Sequence, residues 1–215
     1  MSGLVIRVID TRMGRSFKNP APFDFVCGPE TGMTKLFAAI KKRCGAKKIA
    51  SLQILSHAFY VPESTIKSKE NPDGIIERFG FGVQFCSEGI NEGTAGNFSA
   101  FRGMFASARG ISLQGCAVAA TSTVLRSVGQ FHFVRIGDGA ALCQKIADSA
   151  GTGVVASSDA QPGPCDVEFR TYKVRNGAKV EMIEEKGPPM NCEAGPWSGN
   201  VWLFTPKGKA PTQLQ

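Results

Sequence analysis

Two polar residues end apolar, strand-like runs in this chain. His57 follows Ser51-Leu52-Gln53-Ile54-Leu55-Ser56, and Cys116 follows Ile111-Ser112-Leu113-Gln114-Gly115. An imidazole and a thiol are the residue types of cysteine-based nucleophilic catalysis. The thiolate attacks a carbonyl, yet a free thiol with a pKa near 8.5 is mostly protonated at neutral pH. A neighbouring imidazole takes that proton and later acts as general acid for the leaving amine. Backbone amides beside the cysteine hold the developing oxyanion, and a glycine before it lets the main chain approach the substrate closely. Gly115-Cys116 supplies that pair. A cysteine ending an apolar strand is also a common packing residue, and a lone strand-end histidine a common hydrogen-bonded one. The other histidine, His132, lies between Phe131 and Phe133, so alternation puts it on the opposite face, as a surface or structural residue.

Those two positions need strands to carry them and helices to connect the strands. Leu4 to Ile9 reads as a first strand, followed by a Pro/Gly-rich connection to Gly32. Leu36, Phe37, Ile40 and Cys44 fall at helical spacing after Thr34, a candidate cap, and Gly45 stops that helix. The strand to His57 comes next, then a long polar stretch from Pro62 to Gly74, then an extended or hairpin segment from Ile75 to Phe85. Phe98, Phe101, Phe105 and Ala108 predict a second helix, closed by Gly110, and the strand to Cys116 follows at once. Residues 117–136 read as a loop bearing a short strand, Phe131–Val134. A helix from Gly139 to Ala150 with Asp138 as cap leads to a strand from Gly153 to Ser157, ending at Asp159.

Strand–helix–strand alternation predicts an α/β fold with a mostly parallel sheet and right-handed crossovers. Residues just past the carboxyl ends of such strands face the crevice where ligands bind. The last fifty residues differ. Val167–Val174 and Lys179–Ile183 flank Arg175-Asn176-Gly177 and read as a β-hairpin, and Val201–Phe204 as a final edge strand. The expected organisation is an α/β domain over residues 1–160 with a β-rich extension over residues 161–215.

The caspase signature is Gln-Ala-Cys-(Arg/Gln/Gly)-Gly with its histidine roughly 50 residues upstream. Here Gln114-Gly115-Cys116-Ala117 keeps the Gln and the Cys, at a similar separation from His57. With these blocks the chain resembles the caspase-like (clan CD) cysteine peptidases. More narrowly, it is similar to a bacterial caspase-like domain of unassigned function found in large surface proteins and adhesins. That domain has strands ending in Ser-His-Gly, Gly-Cys-Asn-Val-Ala and Ala-Ser-Thr-Asp, with a helix before the last. This chain has Leu55-Ser56-His57, Gly115-Cys116-Ala117-Val118-Ala119, Gly139–Ala150 and Val155-Ala156-Ser157-Ser158-Asp159, in that order over residues 49–160. Ala58 stands where the domain has glycine, and residues 118–136 are an insertion.

The resemblance implies a three-layer, Rossmann-like caspase fold and a Cys116–His57 dyad cleaving a polypeptide. The amides of Cys116 and Ala58, with Gly115 giving access, would form the oxyanion hole. Gln114, two before the cysteine, and Asp159 are the candidates for substrate selection, Asp159 toward a basic side chain; read from the residues alone, Asp159 equally caps a loop and Gln114 equally satisfies backbone groups. No cofactor and no metal is implied. Two other functions fit the same blocks: a catalytically silent binding module, or a cysteine amidase acting on another amide such as a cell-wall peptide link. An effector or toxin held by a cognate inhibitor or immunity protein is a further expected setting.

Composition narrows the partners. No apolar run approaches the ~20 residues that span a bilayer, so no membrane insertion is expected. The N-terminus lacks the pattern of a secretory signal, which points to a cytoplasmic protein or one exported without a classical signal peptide. Seven cysteines without a Cys-x-x-Cys spacing argue against a zinc site or a disulfide framework, although Cys165 and Cys192 lie in loops. The net charge of +7 permits anionic partners, but its densest group, Lys41-Lys42-Arg43 with Lys47 and Lys48, reads as a solvated helix end rather than a nucleic-acid surface. Gly-x-Ser-x-Gly and phosphate-binding glycine loops do not occur.

Overall fold

The computed structural model describes residues 3–13, 20–58, 61–63, 76–78, 82–115, 117–121, 124–128, 131–135, 138–159, 168–173, 181–186, 197, 199–208 and 210–214. Its elements in chain order are β1 (Leu4–Asp10), β2 (Asp24–Cys27), α1 (Met33–Cys44), β3 (Ile49–Leu55), β4 (Val61–Glu63), β5 (Ile76–Arg78), β6 (Ile111–Gln114), β7 (Val124–Val128), β8 (Phe131–Arg135), α2 (Gly139–Ala150), β9 (Val154–Ser157), β10 (Glu168–Lys173), β11 (Glu181–Lys186), β12 (Val201–Phe204) and β13 (Thr212–Gln213), with 3-10 turns at Thr11–Met13 and Ala95–Phe101.

One seven-stranded sheet has the order β13-β12-β9-β6-β3-β1-β2. Strands β2, β1, β3, β6 and β9 are parallel. Strands β12 and β13 add to it antiparallel. The chain is therefore an α/β protein with a mostly parallel mixed sheet, as alternation predicts. The steps β2→β3, β3→β6 and β6→β9 all advance in one direction across the sheet. Right-handed crossovers then put all three connections on one face. Accordingly α1, the Ala95–Phe101 turn and α2 share one core with Ile6, Val8, Leu52, Ile54, Ile111, Leu113, Val154 and Ala156. The helical segments thus form one layer against the sheet. Phe37 of α1 anchors the layer, with its ring centroid 5.1 Å from Phe98 and 4.7 Å from Phe101, both edge-on. The other face carries the ion pair of Arg7 and Asp24, residues that the β1–β2 register sets opposite one another.

Several elements differ from expectation. Strand β2 was hidden inside a Pro/Gly-rich connection, as a four-residue run between Pro22 and Gly28. Thr34 is not the cap of α1: Gly32 is, and the Glu88 carboxylate accepts the Met33 amide at 3.0 Å in place of a local cap. The helix expected through Ala108 is a 3-10 segment that ends at Phe101. Val124–Val128 and Phe131–Arg135 pair antiparallel as β7 and β8, where one short strand was expected. Strand β12 is not the edge, because β13 pairs outside it. By contrast α2 matches its expected bounds, with Asp138 accepting the Ala141 amide at 2.8 Å and Gly151 left-handed after it. Met1–Gln161 with Trp197–Gln215 make one compact unit, and Pro162–Pro196 another, which holds the hairpin β10–β11. Asn176-Gly177 of its connection lies outside the described residues. No described helix is long and apolar enough to cross a membrane.

Candidate active site

The parallel strand order reverses between β1 and β3, so the carboxyl ends of these strands and of β6 define the expected crevice. Register brings the two sequence blocks together there. Leu55 of β3 pairs with Gln114 of β6. His57 and Cys116 each lie two residues further on. The Ser56 amide continues the ladder to the Gln114 carbonyl, at 3.4 Å. Gly115 is packed against the histidine segment so closely that a Cβ on it would lie 3.0 Å from the Ser56 carbonyl oxygen and 3.5 Å from the Ala58 nitrogen. A side chain at position 115 would wedge these backbones apart, which is the physical reason for glycine. Cys116 itself lies outside the described residues, between Gly115 and Ala117, which are described.

His57 is exposed, while Ser56 and Ala58 on either side are buried. A turn from Val83 to Ile90 holds this segment. The Gln84 amide donates to the His57 carbonyl at 2.8 Å, the Ser56 hydroxyl donates to the Gln84 carbonyl, and Ala58 bridges to Val83. Beyond position 116 the chain turns sharply. Ala117 has a φ of +51°, in the left-handed region, and its amide donates to the Asp159 carbonyl at 2.8 Å. That amide is thus committed to structure, which leaves Ala58 and Cys116 as the oxyanion donors to consider. The Ala119 amide donates to the Ser157 carbonyl and the Gly139 amide to the Ala120 carbonyl, so the turn runs directly against the start of α2.

The two expected selectivity residues face different surroundings. Gln114 is half-buried on the sheet face away from the helices, where its side-chain amide donates to the Ser112 hydroxyl at 3.4 Å. Asp159 lines a cavity of about 400 Å³ together with residues of the 119–121 turn, α2 and β12; Gln114 is not among the lining residues. The Asp159 carboxylate accepts the backbone and side-chain N–H groups of Asn200, at 2.8 and 3.2 Å.

A third group at the crevice escaped sequence reasoning. Asp10, at the end of β1, is fully buried. Its carboxylate accepts the Arg12 amide and guanidinium, the Cys86 amide at 3.1 Å, and the Cys27 thiol at 3.6 Å. Arg12 in turn donates to the Cys86 carbonyl at 2.6 Å. Burial pushes the Asp10 pKa up, but the hydrogen bonds from Arg12 and Cys86 outweigh it and hold the carboxyl below its usual range. The Cys86 thiol is pushed up by its hydrogen bond with Cys27 and by burial. Both thiols are buried, so neither cysteine competes as nucleophile. The sequence signal was available: an aspartate closing an apolar strand, with arginine two residues on. Among the described residues no group of three or more His, Cys, Asp or Glu side chains is arranged to hold a metal ion.

Comparison with family models, curated proteins and solved structures returned no match, so the site stands on its own geometry.

Proposed function

We propose that this protein is a cysteine peptidase of caspase-like type acting on a polypeptide, with Cys116 as nucleophile and His57 as general acid–base. The observation that carries this reading is the β3–β6 register. It pairs Leu55 with Gln114, and Gly115 then lies against the Ser56 and Ala58 backbone. The exposed imidazole, held by its backbone to a braced turn, and the sharp left-handed residue after position 116 support it further. Backbone strain of that kind concentrates at functional sites.

In the proposed reaction the Cys116 thiol gives its proton to His57 as sulfur bonds to the scissile carbonyl carbon. The carbonyl oxygen takes up negative charge, held by the amides of Cys116 and Ala58. Collapse of this adduct expels the amine, which leaves with the proton from His57. Water then attacks the thioester, losing a proton to His57, and the thiol is regenerated. Offering the full chain a peptide library and sequencing the new amino termini tests this directly. Cleavage should appear with the wild type and fall by about 10³-fold or more in Cys116→Ala and in His57→Ala. Equal cleavage by Cys116→Ala, or none by the wild type, would overturn it.

A further inference from the structure

The amino-terminal edge of the sheet, opposite the crevice, gathers cations from distant parts of the chain. Helix α1 runs back along the strands it connects, so its last turn, Lys41-Lys42-Arg43, ends at this edge. Lys47 and Lys48 lead from there into β3, and the Lys48 carbonyl accepts the amide of Leu4, the first residue of β1, at 2.8 Å. The Lys48 ammonium donates to the Gly103 carbonyl at 2.5 Å, which sets Arg102 beside it. Arg109 lies two residues before Ile111, the start of β6. Lys207 follows β12, whose last residue, Phe204, pairs with Val154 at the start of β9. All of these cations are exposed.

Helix capping does not account for them. The end of α1 is closed by backbone, with the Gly45 amide donating to the Lys41 carbonyl at 3.0 Å and the Lys47 amide to the Cys44 carbonyl at 3.1 Å. Arg43 reaches the Pro22 carbonyl instead. A single arginine, Arg102, serves the last turn of α2, donating to the Asp148 and Ser149 carbonyls at 2.7 and 3.2 Å. Lys41, Lys42, Lys47 and Arg109 have no side-chain hydrogen bond or ion pair among the described residues. The exposed acid that accompanies the group there is Asp148, because Asp24 near Pro22 is already paired with Arg7. The charge at this edge is therefore unspent, and it sums to a field that attracts anions.

The form of the edge selects among anionic partners. Proteins that bind nucleic acid lay a helix or strand in a groove, or stack bases on exposed rings. This edge presents helix ends and short loops, and the half-buried Phe105 packs its ring 6.3 Å from that of Phe101. Long, separately mobile lysine and arginine side chains from several elements suit a diffuse layer of anionic headgroups, where each adds about fivefold to binding.

We propose that the amino-terminal edge of the sheet docks on an anionic phospholipid bilayer, held by charge with nothing inserted. The crevice at the carboxyl ends then faces away from the lipid, about 20 Å off, the length of β3. This surface is independent of the peptidase reading.

The full chain is sedimented with vesicles of phosphatidylcholine alone and of phosphatidylcholine with about 30% phosphatidylserine. Binding to the anionic vesicles should exceed binding to the neutral ones at least tenfold, and should fall at least tenfold between about 0.1 and 0.5 M NaCl. The triple variant Lys41→Gln, Lys42→Gln, Lys47→Gln should weaken it about a hundredfold. Arg109→Gln, on a separate loop, should weaken it about fivefold, whereas Lys35→Gln, at the opposite end of α1, should leave it within about twofold. Equal binding to the two kinds of vesicle would overturn the proposal. So would an undiminished affinity in the triple variant at an unchanged melting temperature, or tighter binding to a random-sequence DNA duplex than to the anionic vesicles.

Discussion

Asp10 is the residue on which the carboxyl end of the sheet depends. It ties β1 to Arg12 and to the backbone of Cys86, and the turn containing Cys86 in turn holds the Ser56 hydroxyl and the His57 carbonyl. Removing one partner of a buried pair leaves the other uncompensated, at about 3–5 kcal/mol. The Arg12 side chain retains about a quarter of its exposure, so the low end applies. Asp10→Asn should therefore cost about 3 kcal/mol near pH 6, read from urea unfolding. The folded-state pKa of Asp10 lies below its unfolded value, so its contribution is present at pH values above the unfolded pKa and is lost as acid titrates it in the native state. The gap between wild type and variant should accordingly narrow near pH 3, and a constant gap would show that the carboxyl charge is not what stabilises the turn. The Asp10–Arg12 pair is written locally, two residues apart, but the Asp10–Cys86 contact was not legible, since it spans 76 residues. The strand ends before His57 and at Gly115 were legible, because each is written within a single apolar run.

At the level of elements, legibility followed how local the deciding interactions are. Helix α2 was readable to its ends because its cap, its apolar face and its left-handed terminator are all within its own sequence. The Phe98/Phe101 segment was read as α-helical because spacing of three serves a 3-10 turn as well; the bond from the Arg102 amide to the Ser99 carbonyl is of that tighter kind. Strands β2 and β13 are four and two residues long and exist through pairing with β1 and β12, which no local pattern announces. The junction between the 117–120 turn and α2 gives a sharp test at this scale. A Cβ on Gly139 would lie 1.9 Å from the Val118 carbonyl oxygen, whereas nothing lies within 4 Å of one on Gly96. Intrinsic propensity favours alanine over glycine in a helix by about 1 kcal/mol. At Gly139 overpacking should win, so that Gly139→Ala destabilises by about 1–3 kcal/mol while Gly96→Ala stays within about 0.5 kcal/mol of wild type. Urea midpoints of the two variants check this, and equal midpoints would show that the junction can relax.

For the whole molecule, the decisive fact is the strand order. Alternation of strands and helices along the chain predicts a parallel sheet, but the reversal between β1 and β3 is a property of pairing alone. That reversal sets the crevice at the ends of β1, β3 and β6, and it gathers three crossovers on one face. Three groups follow from it: the Asp10 cluster, the His57 segment and the Gly115 approach all lie at that one edge of the sheet. The C-terminal strands β12 and β13 join the same sheet, and Trp202 and Phe204 of β12 line the Asp159 cavity, so a stretch that looked like an appendage in the sequence belongs in part to the main sheet. The central claim is that Cys116 works as a thiolate paired with His57. The rate of alkylation of each cysteine by iodoacetamide, followed by peptide mass spectrometry from about pH 5 to 9, tests it most directly. A dyad predicts that Cys116 labels first, that its rate is already high below the usual thiol pKa near 8.5, and that His57→Ala moves its profile up to that value. Labelling of Cys116 no faster than the other six cysteines, with a profile unchanged in His57→Ala, would contradict it.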